Sequence, residues 1–368
     1  MIPLTPKEAV IRIARRVLGE ERVHDHLIKR GIKLRHLEDG YTEGREELEG
    51  DGRRDLNGDC RENCDRNGAV RQTLIFMVDG KWMHGGLTDR LRGMASAYKF
   101  ATEHNLDFKI YHTSPFLLQE ILEPNKIDWL IDEKQISKNC SVAKPVLLYR
   151  EDFNNDSALE RQLDKTHEQF HLYSCVDTLG GKFAEYFNEL FKPSTLLAQE
   201  IEHYGKLLGE NYTAISFRFQ NKLGDFKEFT FKELPEKGKQ ELKNAALNAI
   251  KDSGSGAGMT NQDNNKSEKT TQGNNASAKI LVTADSPSFL AEAAKLPNVV
   301  IVKGNSIHID FNSSKKAVDY LKAFTEFFLI SKAKSAKLYR NRKYKTYPSN
   351  FPKYAASLGN VPYEVVEE

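Results

Sequence analysis

The feature that most constrains the fold is an apolar run that empties into a glycine-rich, charged stretch. Leu74-Ile75-Phe76-Met77-Val78 leads into His84-Gly85-Gly86-Leu87-Thr88-Asp89-Arg90-Leu91-Arg92-Gly93. An amphipathic run, Met94–Ala101, leads out of it. Strand, glycine loop and helix in that order open a nucleotide-handling α/β domain. Glycines let the backbone approach a ligand closely, and a helix start offers N–H groups to an anion. Gly85 and Gly86 are therefore candidate ligand contacts, and Asp89, Arg90 and Arg92 place charge at the same edge. The bland reading is a tight βα turn with solvated arginines. The stretch fits neither G-x-G-x-x-G nor G-x-x-x-x-G-K-[ST], so it predicts neither a dinucleotide fingerprint nor a P-loop.

The α/β pattern runs from Thr73 to the C-terminus. Strands are expected at Phe108–Tyr111, Val146–Tyr149, His171–Ser174, Ala214–Phe219, Lys279–Thr283, Val299–Val302, Ala336–Tyr339 and Tyr363–Val366. Helices are expected over Phe116–Leu122, Gly181–Leu208, Lys232–Ile250, Ser288–Leu296, Val318–Ile330 and Phe351–Leu358, with a break at Pro193. Alternation of this kind means mainly parallel sheets covered on both faces. The chain of 368 residues is long enough for two cores. The boundaries read from the pattern are an N-terminal helical and flexible extension over 1–72, a first domain over 73–192 and a second over 193–368. Residues 253–278, rich in Ser, Gly, Asn and Gln, read as a disordered insertion within the second domain.

The extension differs from the rest. A helix from Pro6 carries Val10, Ile13, Ala14 and Val17 on one face and Arg12, Arg15, Arg16 and Arg22 on the other. It suits either a cap on the main body or peripheral docking on an anionic membrane. Asp55–Asp59 begins like a calcium loop, but Cys60 stands where the loop needs glycine. Cys60 and Cys64 have no second Cys/His pair at zinc spacing. His167-Glu168-Gln169-Phe170-His171 matches H-E-x-x-H literally, yet it runs into a strand rather than lying on a helix. No metal site is expected. A net charge of +2 gives no pull toward nucleic acid. Four cysteines suggest no disulfide framework, hence a reducing, cytoplasmic setting.

Three places in the second half carry candidate chemistry. Arg218 stands near the carboxyl end of an apolar strand, where a guanidinium can grip a diphosphate and neutralise a leaving group. Asp285 follows a strand and precedes a helix capped by Ser286 and Pro287. It suits a nucleoside contact or a turn. Ser349, Asn350 and Phe351 open the last helix, a place for a phosphate or for a plain cap.

In order and spacing these pieces resemble the sugar-nucleotide glycosyltransferases of the nodulation and O-fucosyltransferase type. Gly85–Gly93 is similar to that family's first-domain glycine loop, Ser216-Phe217-Arg218-Phe219 to its His-x-Arg region, and Val282–Ser286 to its Thr-Asp-Ser region. Tyr347–Phe351 falls where the family has a late Ser-Phe phosphate element. The resemblance covers Thr73 to the C-terminus apart from 253–278. It implies an α/β GT-B architecture, two Rossmann-like domains with a cleft between them. It implies an inverting, metal-independent transfer from a nucleotide sugar, GDP-fucose, to a glycan acceptor, with no cofactor. Arg218 would bind the diphosphate and assist its departure, and Asp285 would touch the nucleoside. Ser349, Asn350 and Phe351 would hold phosphate and sugar. Gly85 and Gly86 would face the donor, with Arg90 and Arg92 on the acceptor side and Asp89 the candidate base. Ser216 replaces the family's histidine and Phe219 its second arginine. That departure keeps open a non-catalytic nucleotide- or glycan-binding protein of the same fold. A Rossmann oxidoreductase is disfavoured by the missing glycine fingerprint.

Overall fold

A computed structural model describes residues 41–42, 71–148, 156–226, 232–254, 278–311 and 314–368. The N-terminal helix read from Pro6, Cys60, Cys64 and the bulk of the 253–278 insertion lie outside them. Ser253 and Gly254 are the last residues of a helix. The chain divides into two compact units, one running through Ser194 and taking in residues 314–317, the other comprising Thr195–Phe311 and Val318–Glu368.

The first unit holds a parallel four-stranded sheet. Its strands are β1 (Thr73–Val78), β2 (Asp107–His112), β4 (Ala143–Leu147) and β5 (Gln169–Tyr173), in the order β2-β1-β5-β4. Central β1 is a continuous apolar run, buried from Leu74 to Val78, as a strand covered on both faces must be. Edge strand β2 alternates, burying Phe108, Ile110 and His112. Helix α1 (Leu87–Glu103) packs beside α3 (Phe183–Leu190), where the Tyr98 hydroxyl donates to Glu189 Oε2 at 2.8 Å. A short α2 (Asp156–Glu160) precedes β5.

Two expectations change here. The glycine stretch is not a long loop, because α1 begins at Leu87 and Leu87–Gly93 form its first two turns. The helix expected over Phe116–Leu122 is a 3-10 turn, Leu118–Glu120, followed by β3 (Leu122–Pro124). Tertiary pairing wins there: β3 runs antiparallel to β6 (Phe191–Pro193), and Ser194 binds the carbonyls of Glu120 and Ile121. That same β6 interrupts the expected helix over Gly181–Leu208 at Pro193, leaving α3 and α4 (Thr195–Leu208).

The second unit is a parallel five-stranded sheet of β7 (Tyr212–Phe217), β8 (Lys279–Ala284), β9 (Val299–Val300), β10 (Ser335–Arg340) and β11 (Tyr363–Glu367), ordered β11-β10-β7-β8-β9. Ile215, Phe217, Val282 and Tyr339 form its core with Phe219 and Phe289. Helix α5 (Glu236–Gly254) adds Leu242, Ala246 and Ile250 at four-residue spacing, one stripe of a helix. It starts four residues later than expected, just past Pro235. Helix α6 (Pro287–Ala293) follows β8. The apolar stretch from Val318 becomes a 3-10 turn and then α7 (Leu321–Ile330). Last comes α8 (Phe351–Leu358).

Candidate functional site

The chain enters the second sheet at β7, moves outward through β8 to β9, then returns to the other side of β7 as β10 and β11. That reversal is a topological switch point, and ligands of open parallel sheets bind beyond the strands' carboxyl ends at such a point. All these strands are parallel, so the residues following β7, β8 and β10 share one edge. They are Arg218, Asp285 and the segment from Asn341 to Asn350.

Arg218 and Asp285 form an ion pair, Nη1 to Oδ2 at 3.0 Å, with side-chain exposures of 19% and 5%. The Asp285 carboxylate also accepts from Phe219 N at 2.9 Å and Gln220 N at 2.7 Å. Burial pushes the Asp285 carboxyl up from the ordinary carboxylate range, and the Arg218 guanidinium opposes that rise. The guanidinium lies 4.8 Å from the centre of the Phe226 ring, a cation–π arrangement. Both oxygens of the Asp285 carboxylate are thus engaged within its own unit. Its carboxylate is sealed behind the turn it organises, and it holds the arginine in place.

Neighbouring residues fix the same edge. Ser216 and Thr283 face each other across β7 and β8, the Thr283 hydroxyl donating to Ser216 Oγ at 2.8 Å. Ser286 caps α6 by accepting from Phe289 N at 3.2 Å and donates to Asp225 Oδ2 at 2.8 Å. Ser288 N donates to that same oxygen. Burial works against the Asp225 anion, but the hydrogen bonds from Ser288 and Ser286 outweigh it and draw the carboxyl below its usual range. The Ser306 hydroxyl donates to Ala284 O, so the segment after β9 reaches the end of β8.

On the other side, Tyr347 N donates to Arg218 O at 3.4 Å, which brings the segment before α8 against the arginine's backbone. Ser349 Oγ accepts from Phe351 N at 3.2 Å, a local cap. Asn350 is exposed and makes no side-chain cap, and Phe351 meets Phe327 edge-on at 5.6 Å. Arg218, Asp285 and this segment therefore come together in one unit, linked through backbone and ion pair.

The carboxyl edge of the first sheet is differently made. Gly85 has φ +81, and a Cβ there would lie 2.5 Å from Asp89 Oδ2. Gly86 N donates to that carboxylate at 3.0 Å, capping α1. The other Asp89 oxygen pairs with Arg92 at 2.8 Å, and Arg92 Nε donates to Cys175 O at 3.2 Å. Arg90 donates to Gly85 O and Ser114 O and sits 3.5 Å from His112 Nε2. Arg90 and Arg92 are 4% and 8% exposed. The arginines expected on an acceptor surface are buried and bound to carbonyls of their own unit. Asp89, the expected base, has one oxygen on the helix cap and the other on Arg92.

His84 and His112 are buried beside them. His84 Nδ1–H donates to Ser174 O at 3.0 Å, leaving Nε2 buried without a partner among the described residues. Burial, then the Arg90 charge, lowers both imidazoles to about 3. His167 and His171 are likewise committed, His167 to Asp164 and Cys140 O, His171 to Tyr41 and Gln169. The described segment between them is the start of β5, a strand as expected.

No protein-family model and no characterised relative matches the sequence. The structural likeness is to fucosyltransferases. The crystal structure of NodZ alpha-1,6-fucosyltransferase co-crystallised with GDP superposes with a TM-score of 0.50 at 13% identity, over 81% of this chain and 95% of that one. An Arabidopsis thaliana FUT1 mutant in complex with GDP gives 0.50 at 12% identity, over 96% of this chain and 77% of that one. The chain has a GT-B fucosyltransferase-like fold. No helix among the described residues is long and apolar enough to cross a membrane.

Proposed function

We propose that this protein is a glycosyltransferase that moves a sugar, fucose, from GDP-fucose to a glycan acceptor, with inversion and without a metal. One observation carries the reading. Arg218 stands at the switch point of the second sheet, clamped from behind by the buried Asp285 and still one-fifth exposed. A guanidinium so held can bind a diphosphate with two parallel hydrogen bonds and needs no rearrangement as charge develops on it. The acceptor hydroxyl attacks the anomeric carbon, the bond from that carbon to the diphosphate oxygen breaks, and GDP departs toward Arg218. The arginine supplies the positive charge that a metal supplies elsewhere, so EDTA leaves the rate unchanged. The second unit is then the donor side, with Ser349, Asn350 and Phe351 at its rim, and the first unit the acceptor side, where Gly85 and Gly86 are candidate contacts. The acceptor's proton passes to a base, for which Asp89, bound to Gly86 N and Arg92, is the sequence candidate. The setting proposed is cytoplasmic, and the arginines near the N-terminus serve any peripheral hold on an anionic membrane.

The test is a panel of nucleotides and nucleotide sugars in a thermal-shift assay, followed by transfer assays. GDP and GDP-fucose should raise the melting temperature by mass action, and NAD(P) should not. Arg218→Ala should lower turnover by on the order of 10²- to 10³-fold, and Arg218→Lys by less. Transfer unaffected by Arg218→Ala would sink the mechanism. A second reading, binding without turnover, is favoured by Ser216, which stands where the resembled family has histidine and is buried on Thr283. GDP-fucose binding with no transfer to any glycan acceptor would select it.

A further inference from the structure

The turn after β7 holds one residue that the donor scheme leaves unused. Gln220 has φ +58, the left-handed region that side chains other than glycine seldom enter. It is 2% exposed, and its side-chain carbonyl Oε1 is buried with no partner among the described residues. Two separate costs fall on this position, a disfavoured backbone and an unsatisfied buried acceptor. Glycine would remove both, and an apolar side chain would remove the second. Neither cost is needed to build the turn, because Asp285 grips it through the backbone N–H groups of Phe219 and Gln220.

The same carboxylate also grips the Arg218 guanidinium. One carboxylate therefore holds both the Gln220 backbone N–H and the guanidinium proposed to bind the diphosphate, two residues away. A side-chain carbonyl only accepts hydrogen bonds, so it repels phosphate oxygens and suits a hydroxyl. We propose that Gln220 is a donor-contact residue whose Oε1 accepts a hydrogen bond from a hydroxyl of the bound nucleotide sugar, beside the diphosphate on Arg218. The inference rests on the donor-site reading above. It adds a polar selector that prefers hydroxyl-bearing ligands to bare phosphate. The hydroxyl belongs either to the transferred sugar or to the ribose, and the two sources separate by experiment.

The experiment measures binding of pyrophosphate, GDP and GDP-fucose by calorimetry to the wild type, Gln220→Gly and Gln220→Met. Glycine suits the left-handed backbone, so Gln220→Gly should fold with an unchanged or raised melting temperature. GDP-fucose affinity should fall about tenfold in both variants, the worth of one hydrogen bond to a buried acceptor. Pyrophosphate affinity should hold. If GDP affinity also holds, the partner is the transferred sugar; if it falls with GDP-fucose, the partner is the ribose. Unchanged GDP-fucose affinity, or an equal fall for pyrophosphate, overturns the inference and leaves the donor site standing. A wild type that binds no nucleotide overturns both.

Discussion

The two parallel sheets end in edges built from the same residue types and used in opposite ways. At the first, Arg90 and Arg92 turn inward onto carbonyls of Gly85, Ser114 and Cys175, among imidazoles kept neutral by burial. At the second, the carboxylate is the buried partner and the arginine the more exposed one. A guanidinium satisfied by its own backbone stiffens a turn. One backed by a sealed carboxylate on one side is preorganised for an anion on the other. The contrast separates a charge held from behind, as at Arg218, from charges taken up by their own backbone, as at Arg90 and Arg92.

Acid should separate the edges most strongly. His84 and His112 titrate at about 3 and His171 at about 4, against 6.5 for the free side chain. In each case burial comes first, with a neighbouring cation adding to it. Their folded values are depressed, so the unfolded chain binds more protons between pH 6.5 and about 4, and the first unit loses stability as pH falls through that window. At pH 5 the loss is roughly 2 kcal/mol per imidazole, together on the order of 6 kcal/mol. In the second unit burial raises Asp285 and Glu326, each opposed by its cationic partner. For these two groups the folded state takes up protons first, so they add stability as pH falls, and the depressed Asp225 subtracts only below the usual carboxylate range. Hydrogen exchange at pH 7 and pH 5 should show β1, β2 and β5 losing protection while β7 and β8 keep theirs. Equal loss in both units would break the comparison.

Next in size is the clamp itself. Asp285→Ala leaves the N–H groups of Phe219 and Gln220 unpaired and takes from Arg218 its buried carboxylate. Removing one partner of a buried pair costs about 3–5 kcal/mol, readable by urea unfolding. Turnover should fall on the order of 10²-fold, because the arginine is no longer aimed. A cost no larger than that of the corresponding change at Asp89 would mean that the two edges are built alike.

Much of the fold was legible because burial on both faces writes continuous apolar runs. Leu74–Val78 and Ala214–Phe217 could hardly be anything but strands, and α8 lies where Phe351–Leu358 predicts it. The local pattern fails where a long-range partner decides. Nothing local in Phe116–Leu122 tells that β6 waits to pair with Leu122–Pro124. The sequence marks Arg218 by its place after a strand, but the role of Asp285 depends on β7 and β8 being neighbours, 65 to 67 residues apart in the chain. Gln220 carried no signal at all, since a left-handed φ is unexpected at glutamine. The glycine stretch misled for a sharper reason: Gly93 reads as loop but serves inside a helix.

Gly93 gives a smaller test of that point. A Cβ there would sit 3.1 Å from both Phe76 Cζ and Ser174 O, tighter than an unstrained contact. The glycine lets α1 lie close on β1 and on the end of β5. Gly93→Ala should cost about 1–3 kcal/mol, as overpacking does. Affinity for GDP should be unaffected, since the residue packs α1 onto Phe76 and Ser174 O of the first unit. If stability held and GDP affinity dropped, the stretch would be a ligand loop after all.

The smallest expected effect lies at Asp89, and it decides most about the first edge. As a cap, its carboxylate accepts from Gly86 N and pairs with Arg92. Asp89→Ala should then cost about 1 kcal/mol, the usual worth of an N-terminal cap, and leave turnover within about twofold, since a cap contributes nothing specific to the transition state. As the base that takes the acceptor's proton, the same residue would be worth on the order of 10²- to 10⁴-fold in rate. Asp89→Asn separates the two further. It preserves a side-chain oxygen for the cap but has no basicity, so a cap survives it and a base does not. A rate that collapses in Asp89→Asn while the melting temperature holds would turn this edge from scaffold into chemistry.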